Sequence, residues 1–209
     1  MDRFSFFFAF YGLILGLAVT ELLKGFAGYV RLRSLRKIDS QTALLAILIF
    51  ILIGATWIDA WDSLKGVSLD FAGLWAPILL STAYYLAAAI VFPRDSEDLD
   101  HLSEYYAKRK VFVVLLLLAA EFLVNYTYLP VLVDAYYTKR DVFWGYLVPY
   151  NVAIKLAFVV LLLARRKRTN IVALVALIGL FLAPYWVHDS IPAWIHALFT
   201  TRVPHPVRG

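Results

Sequence analysis

Three ionisable residues, Glu21, Glu121 and Lys155, sit deep inside long apolar stretches of the chain. A charge at bilayer depth costs about 2.5–3.5 kcal/mol even on lenient insertion scales, so it is expected to have a partner and often a task. Glu21 is ten residues from Arg31, Glu121 eleven from Lys110 and Lys155 ten from Arg165. At about 1.5 Å of helical rise per residue, all three fall about 15–16 Å from one boundary of a hydrocarbon core about 30 Å thick. Two carboxylates and one ammonium at a shared depth predict an ion pair. One lysine cannot neutralise both acids, so the remaining carboxylate must be protonated, bind a cation or face water.

Neutral polar residues flank this level. Asn125 lies four residues from Glu121 and Asn151 four from Lys155, so each amide shares a helical face with its charge. Antiparallel stretches joined by a short loop bring Asn125 level with Asn151. Tyr84, ten residues from Arg94, reaches the same depth, where a carboxylate would satisfy its hydroxyl. Gly12, Gly16 and Thr20 form a small-residue ladder beside Glu21 that permits close helix approach. Lys24, one turn nearer the boundary, is expected to snorkel outward. Pro184 should kink its helix and free a carbonyl about one turn back, near Leu180. Leu17–Lys24 and Leu118–Asn125 echo one another, as two inverted halves of a transporter would.

Other chemistry has little support. There is no Walker-type loop, Gly-x-Ser-x-Gly or His-Glu-x-x-His, so no catalytic residues and no enzyme are expected. Cysteine is absent, which excludes disulfides, thiolate metal sites and thiol catalysis. His188, His196 and His205 fit no compact ligand motif, so neither metal nor cofactor is expected. Asp59, Asp62, Asp134, Asp141, His188 and Asp189 read as a solvated rim or vestibule opposite the basic loops.

The elements that must position these residues are apolar helices. Of 209 residues, 62% are hydrophobic and 17% charged, with mean hydropathy +0.74, whereas a soluble domain carries far more charge. Six spans are expected, over about 4–30, 42–61, 71–92, 111–133, 142–164 and 171–194, each near the 20 residues or so that cross a bilayer. The first lacks a cleavage site and reads as a retained span. Within 93–110, Asp95 caps an interfacial helix carrying Asp98, Leu99, Leu102 and Tyr106, with Glu104 and Lys108 paired four apart. Pro130 and Pro149 also fall within or at the ends of spans.

Connections one, three and five hold four Lys or Arg each, twelve in all, and the opposite side holds six. The positive-inside bias then puts both termini on the non-cytoplasmic side. The aromatic residues Trp57, Trp61, Trp75, Tyr136, Tyr137, Trp144, Tyr185, Trp186 and Trp194 cluster at the outer ends, as an interfacial belt does. The net charge of +5 sits at span ends and gives no sign of nucleic-acid binding.

The expected protein is therefore all-α and polytopic, a bundle of six transmembrane helices forming one domain without a soluble part, in the cell inner (plasma) membrane. It acts either alone or as one subunit of a homo-oligomer. The expected function is a small transporter or channel for a cation, proton or small polar solute. Glu21 and Glu121 would bind the ion, Lys155 would be the counter-charge, and Asn125, Asn151 and Tyr84 neutral ligands. The alternative is a non-catalytic membrane scaffold or accessory subunit of a larger complex, its polar level serving as internal glue. A lipid-modifying enzyme ranks below both.

Overall fold

The computed structural model describes residues 3–32, 39–63, 71–93, 102–127 and 129–186. They form α1 (Arg3–Leu32), α2 (Ser40–Ser63), α3 (Phe71–Val91), α4 (Leu102–Thr127), α5 (Leu129–Thr138), α6 (Arg140–Val142), a π-helical turn (Phe143–Leu147), α7 (Val148–Leu163) and α8 (Lys167–Trp186). Six of the helical stretches are long and apolar enough to cross a membrane: Phe4–Gly28, Ser40–Ala60, Leu74–Val91, Ser103–Thr127, Arg140–Leu163 and Lys167–Pro184. Helices are the expected solution, because in lipid each backbone N–H and C=O must be satisfied within its own segment. The expected Pro192–Trp194 continuation of span six and the cap at Asp95 lie outside the described residues.

Two span starts differ from the sequence expectation, each for a visible reason. Span four is expected over 111–133, but α4 already starts at Leu102. It starts early because Lys110 buries its ammonium inside the bundle and does not mark the boundary: only 6% of the residue is exposed. The expected Glu104–Lys108 pair forms at 2.8 Å, but on the first turns of this continuous helix. Span six starts at Lys167, not Ile171, because the Asn170 N–H already closes a helical turn on the Arg166 carbonyl at 3.1 Å.

α2 lies at the centre, packed against α1, α3, α4 and α8. Around it the order of contact runs α1, α3, α4, α7, α8, and the most extensive interfaces are α3 with α4 and α1 with α3. The core is a continuous cluster from these spans, including Tyr11, Leu15, Leu45, Ile49, Ala87, Val114, Leu117, Phe158 and Leu174. Phe6, Leu13, Phe50, Phe112, Leu156 and Val172 point outward, which suits a hydrocarbon surround and not water. Trp57, Trp75, Tyr137 and Trp144 are exposed as well. Of the small-residue ladder, only Gly12 is used for close packing: its Cα faces the Trp57 ring, which would overlap any Cβ there. Gly16 and Thr20 are exposed, and the Thr20 hydroxyl donates to the Gly16 carbonyl at 2.8 Å.

Candidate functional site

The polar faces of α4 and α7 meet as their spacing predicts. Glu121 is 7% exposed. Asn125 Nδ2 donates to Glu121 Oε1 at 3.2 Å and to the Glu121 carbonyl at 2.7 Å. Across the interface, Lys155 Nζ lies 4.0 Å from Glu121 Oε1, with 29% of its side chain exposed. It donates to Asn151 Oδ1 at 3.2 Å and sits 5.8 Å from the centre of the Phe122 ring. Asn151 Nδ2 in turn donates to the Leu147 carbonyl at 3.0 Å. Acid, amine and both amides therefore form one cluster.

Local sequence explains how α7 presents this face. Pro149 has no N–H, and its ring crowds the carbonyl of Gly145 four residues back. The chain responds by widening the turn over Phe143–Leu147, where the Val148 N–H reaches the Phe143 carbonyl five residues earlier. Asn151 then uses the Leu147 carbonyl at the end of that turn. Beside it, Thr138, Lys139, Asp141, Val142, Gly145 and Tyr146 line an open depression of about 660 Å³. Asp141 is thus one vestibule acid that does border a recess.

The structure separates two expected members from this cluster. Glu21 Oε1 is paired with Lys24 Nζ at 3.1 Å on its own helix, while 67% of the Lys24 side chain stays exposed. α1 packs against α2 and α3, and of the helices carrying the cluster it is α4 and α7 that meet each other. Each acid accordingly has an ammonium of its own, and the surplus carboxylate inferred from the sequence is not there. Tyr84 is almost wholly buried, but its hydroxyl meets Thr56 Oγ1 at 3.1 Å and not a carboxylate. Glu121 and Asp59 remain within Coulombic reach of it.

The freed carbonyl expected from Pro184 is present and used. Tyr150 donates its hydroxyl to the Leu180 carbonyl at 2.9 Å, joining α7 to α8. Tyr150→Phe should lower stability by about 0.6 kcal/mol, the average measured for hydrogen bonds between membrane helices, and by no more than about 1.7, as read by thermal unfolding in detergent.

A second polar cluster was not foreseen, and it is the larger. Asp39, Gln41, Thr42, Lys110 and Asn170 are all buried. Asp39 caps α2, its Oδ2 accepting the Thr42 N–H at 3.3 Å. Its Oδ1 takes Lys167 Nζ at 3.0 Å and Gln41 Nε2 at 3.5 Å. Gln41 Oε1 accepts from Asn170 Nδ2 at 2.9 Å. Asn170 Oδ1 accepts from Lys110 Nζ at 3.3 Å, and the same ammonium donates to the Ala164 carbonyl at the end of α7. Close by, Tyr105 bonds the Ile90 and Phe92 carbonyls at 2.7 and 3.2 Å, closing the end of α3. The sequence signals were slight: a capping Asp before an apolar run, and Tyr106 and Lys110 one turn apart. Polar residues at span ends are ordinary, so nothing marked these as buried.

Comparison with known proteins gives no relative: no family model matches the chain, and no curated protein or solved structure shows significant similarity to it.

Proposed function

We propose that this protein is a membrane transporter or channel that moves a proton or small cation, with Glu121 as the group that takes the ion. Lys155 is the counter-charge, Asn125 and Asn151 are neutral ligands, and the Glu21–Lys24 pair on α1 is a separate element. The observation that carries this reading is the looseness of the central pair. Close charge-assisted N–H···O contacts run about 2.7–2.9 Å, yet Glu121 and Lys155 stand 4.0 Å apart, each hydrogen-bonded to an amide of its own helix. An ammonium held that loosely can yield its place to a proton or cation. By the excess of Lys and Arg in connections one, three and five, we orient those loops toward the cytoplasm and both termini away from it, in the inner (plasma) membrane.

The test is Glu121→Gln in proteoliposomes. The variant keeps the hydrogen bond to Asn125 but cannot change its charge. Lys155 keeps its bond to Asn151 and its side chain is 29% exposed, so its charge is not stranded and the variant should fold with near-normal stability. It should lose ion- or pH-driven flux by at least about tenfold, the effect of losing roughly 1.4 kcal/mol at the limiting step. Unchanged flux from a stable Glu121→Gln protein defeats the assignment.

One observation favours a second reading, a scaffold or accessory subunit. Glu21 and Glu121 each have a nearby ammonium, so the polar residues can serve as internal glue. Under that reading the wild-type protein shows no flux, and Glu121→Gln loses stability.

A further inference from the structure

Among the described residues, seven polar side chains are buried, and five of them gather where Asp39, Lys110 and Asn170 meet. The bonds run from Lys167 through Asp39, Gln41 and Asn170 to Lys110 and the Ala164 carbonyl, tying α2, α4, α7 and α8 at one end of the bundle. On α4 a single buried stripe leads inward from this cluster: Tyr106, Lys110, Val114, Leu117 and Glu121, at spacings of four, four, three and four. Val114 and Leu117 form a dry apolar step between the two polar levels. At the other end of the bundle lies the open depression beside the π-turn, where Tyr146 stacks on Tyr150 with ring centres 5.8 Å apart.

We infer that the Asp39–Gln41–Asn170–Lys110 cluster is a closed barrier that seals the Glu121–Lys155 site from one side of the membrane. The site is then approached from the depression at 138–146. This rests on the transport reading above and adds the sidedness of access.

Two features fit a barrier that opens and not a permanent strut. Among the described residues the Lys110 ammonium bonds only to a carbonyl and an amide oxygen, so no carboxylate holds it in place. The Tyr106 hydroxyl, on a residue 4% exposed, has no hydrogen-bond partner among the described residues. A buried hydroxyl without a partner is costly to keep. It lies within Coulombic reach of Asp39 and one turn from Lys110, so it supplies a partner in waiting for a second arrangement of the same groups. Barriers that switch need such alternative pairings.

The chain has no cysteine, which makes single-cysteine labelling direct. Leu117→Cys places a thiol on the step between the two levels. A membrane-impermeant methanethiosulfonate reagent is applied to right-side-out and inside-out vesicles. Labelling should be slow from the barrier side. Adding Lys110→Met, or the milder Asn170→Ala, should speed it from that side by about tenfold, the population shift produced by removing roughly 1.4 kcal/mol from the closed state. Labelling from the opposite side should barely change. An unchanged rate in a variant that elutes and melts like the parent overturns the barrier, and so does an equal rise from both sides. The labelling readouts use no flux, so they decide the barrier even if the Glu121→Gln test defeats transport. As a second arm, Gln41→Cys with Asn170→Cys cross-links the cluster. Oxidation should stop flux and reductant restore it, while full flux through a fully cross-linked protein overturns the barrier.

Discussion

Lys155→Met should lower stability by about 3 kcal/mol, and adding Glu121→Gln should restore most of it. Removing one member of a buried ion pair costs roughly 3–5 kcal/mol because the other charge is left uncompensated in a poorly polarisable surround. The low end applies here, since the Lys155 side chain is 29% exposed and the pair is already 4.0 Å apart. Glu121 can also take up a proton, which caps the loss. In the double variant neither charge remains, and replacing a whole buried pair by neutral groups is often close to neutral in stability. Thermal unfolding of the four proteins gives the coupling, expected at about 1–3 kcal/mol for residues in direct contact. Additive losses would mean that Glu121 and Lys155 do not sense one another.

Gly25→Ala and Gly28→Ala should move stability in opposite directions, although both add one methyl to α1. A Cβ at Gly25 would overlap three ring atoms of Phe92, including Cγ near the root of the side chain. Phe92 is itself pinned edge-on against Phe26, with ring centres 5.1 Å apart at 67°. The ring cannot swing clear cheaply, so α1 and α3 must separate. Overpacking of this kind costs about 1–3 kcal/mol, which exceeds the gain of about 1 kcal/mol from replacing a helical glycine by alanine. At Gly28 a Cβ meets nothing, so only that gain applies and the variant should be slightly more stable. Phe92→Leu in the Gly25→Ala background should recover much of the loss. A Gly25→Ala protein that melts at or above the parent temperature would rule out the close α1–α3 approach.

Much of the candidate site is local and could be read along single helices. Glu121 with Asn125 and Lys155 with Asn151 follow from a spacing of four, and the Leu180 carbonyl claimed by Tyr150 follows from Pro184 four residues on. Charge partners were harder. Lys24 pairs with Glu21 while staying largely exposed, whereas Lys110, which reads as a boundary marker, is buried against Asn170. A lysine stem is long enough for either fate. Which one is realised depends on what a neighbouring helix offers within reach, and hydropathy carries no information about that.

By itself, the chain determined six long apolar helices and the face and approximate depth of each polar side chain, because both follow from 3.6 residues per turn and a fixed rise. Only the packing decided that α1 sits against α2 and α3 while α4 meets α7, and that Lys155 pairs with Glu121 and leaves Glu21 to Lys24. Packing likewise drew Asp39, Gln41, Lys110 and Asn170 from remote parts of the chain into one buried network. Adjacency between helices is set by how their whole surfaces fit, and no spacing along the chain encodes that fit.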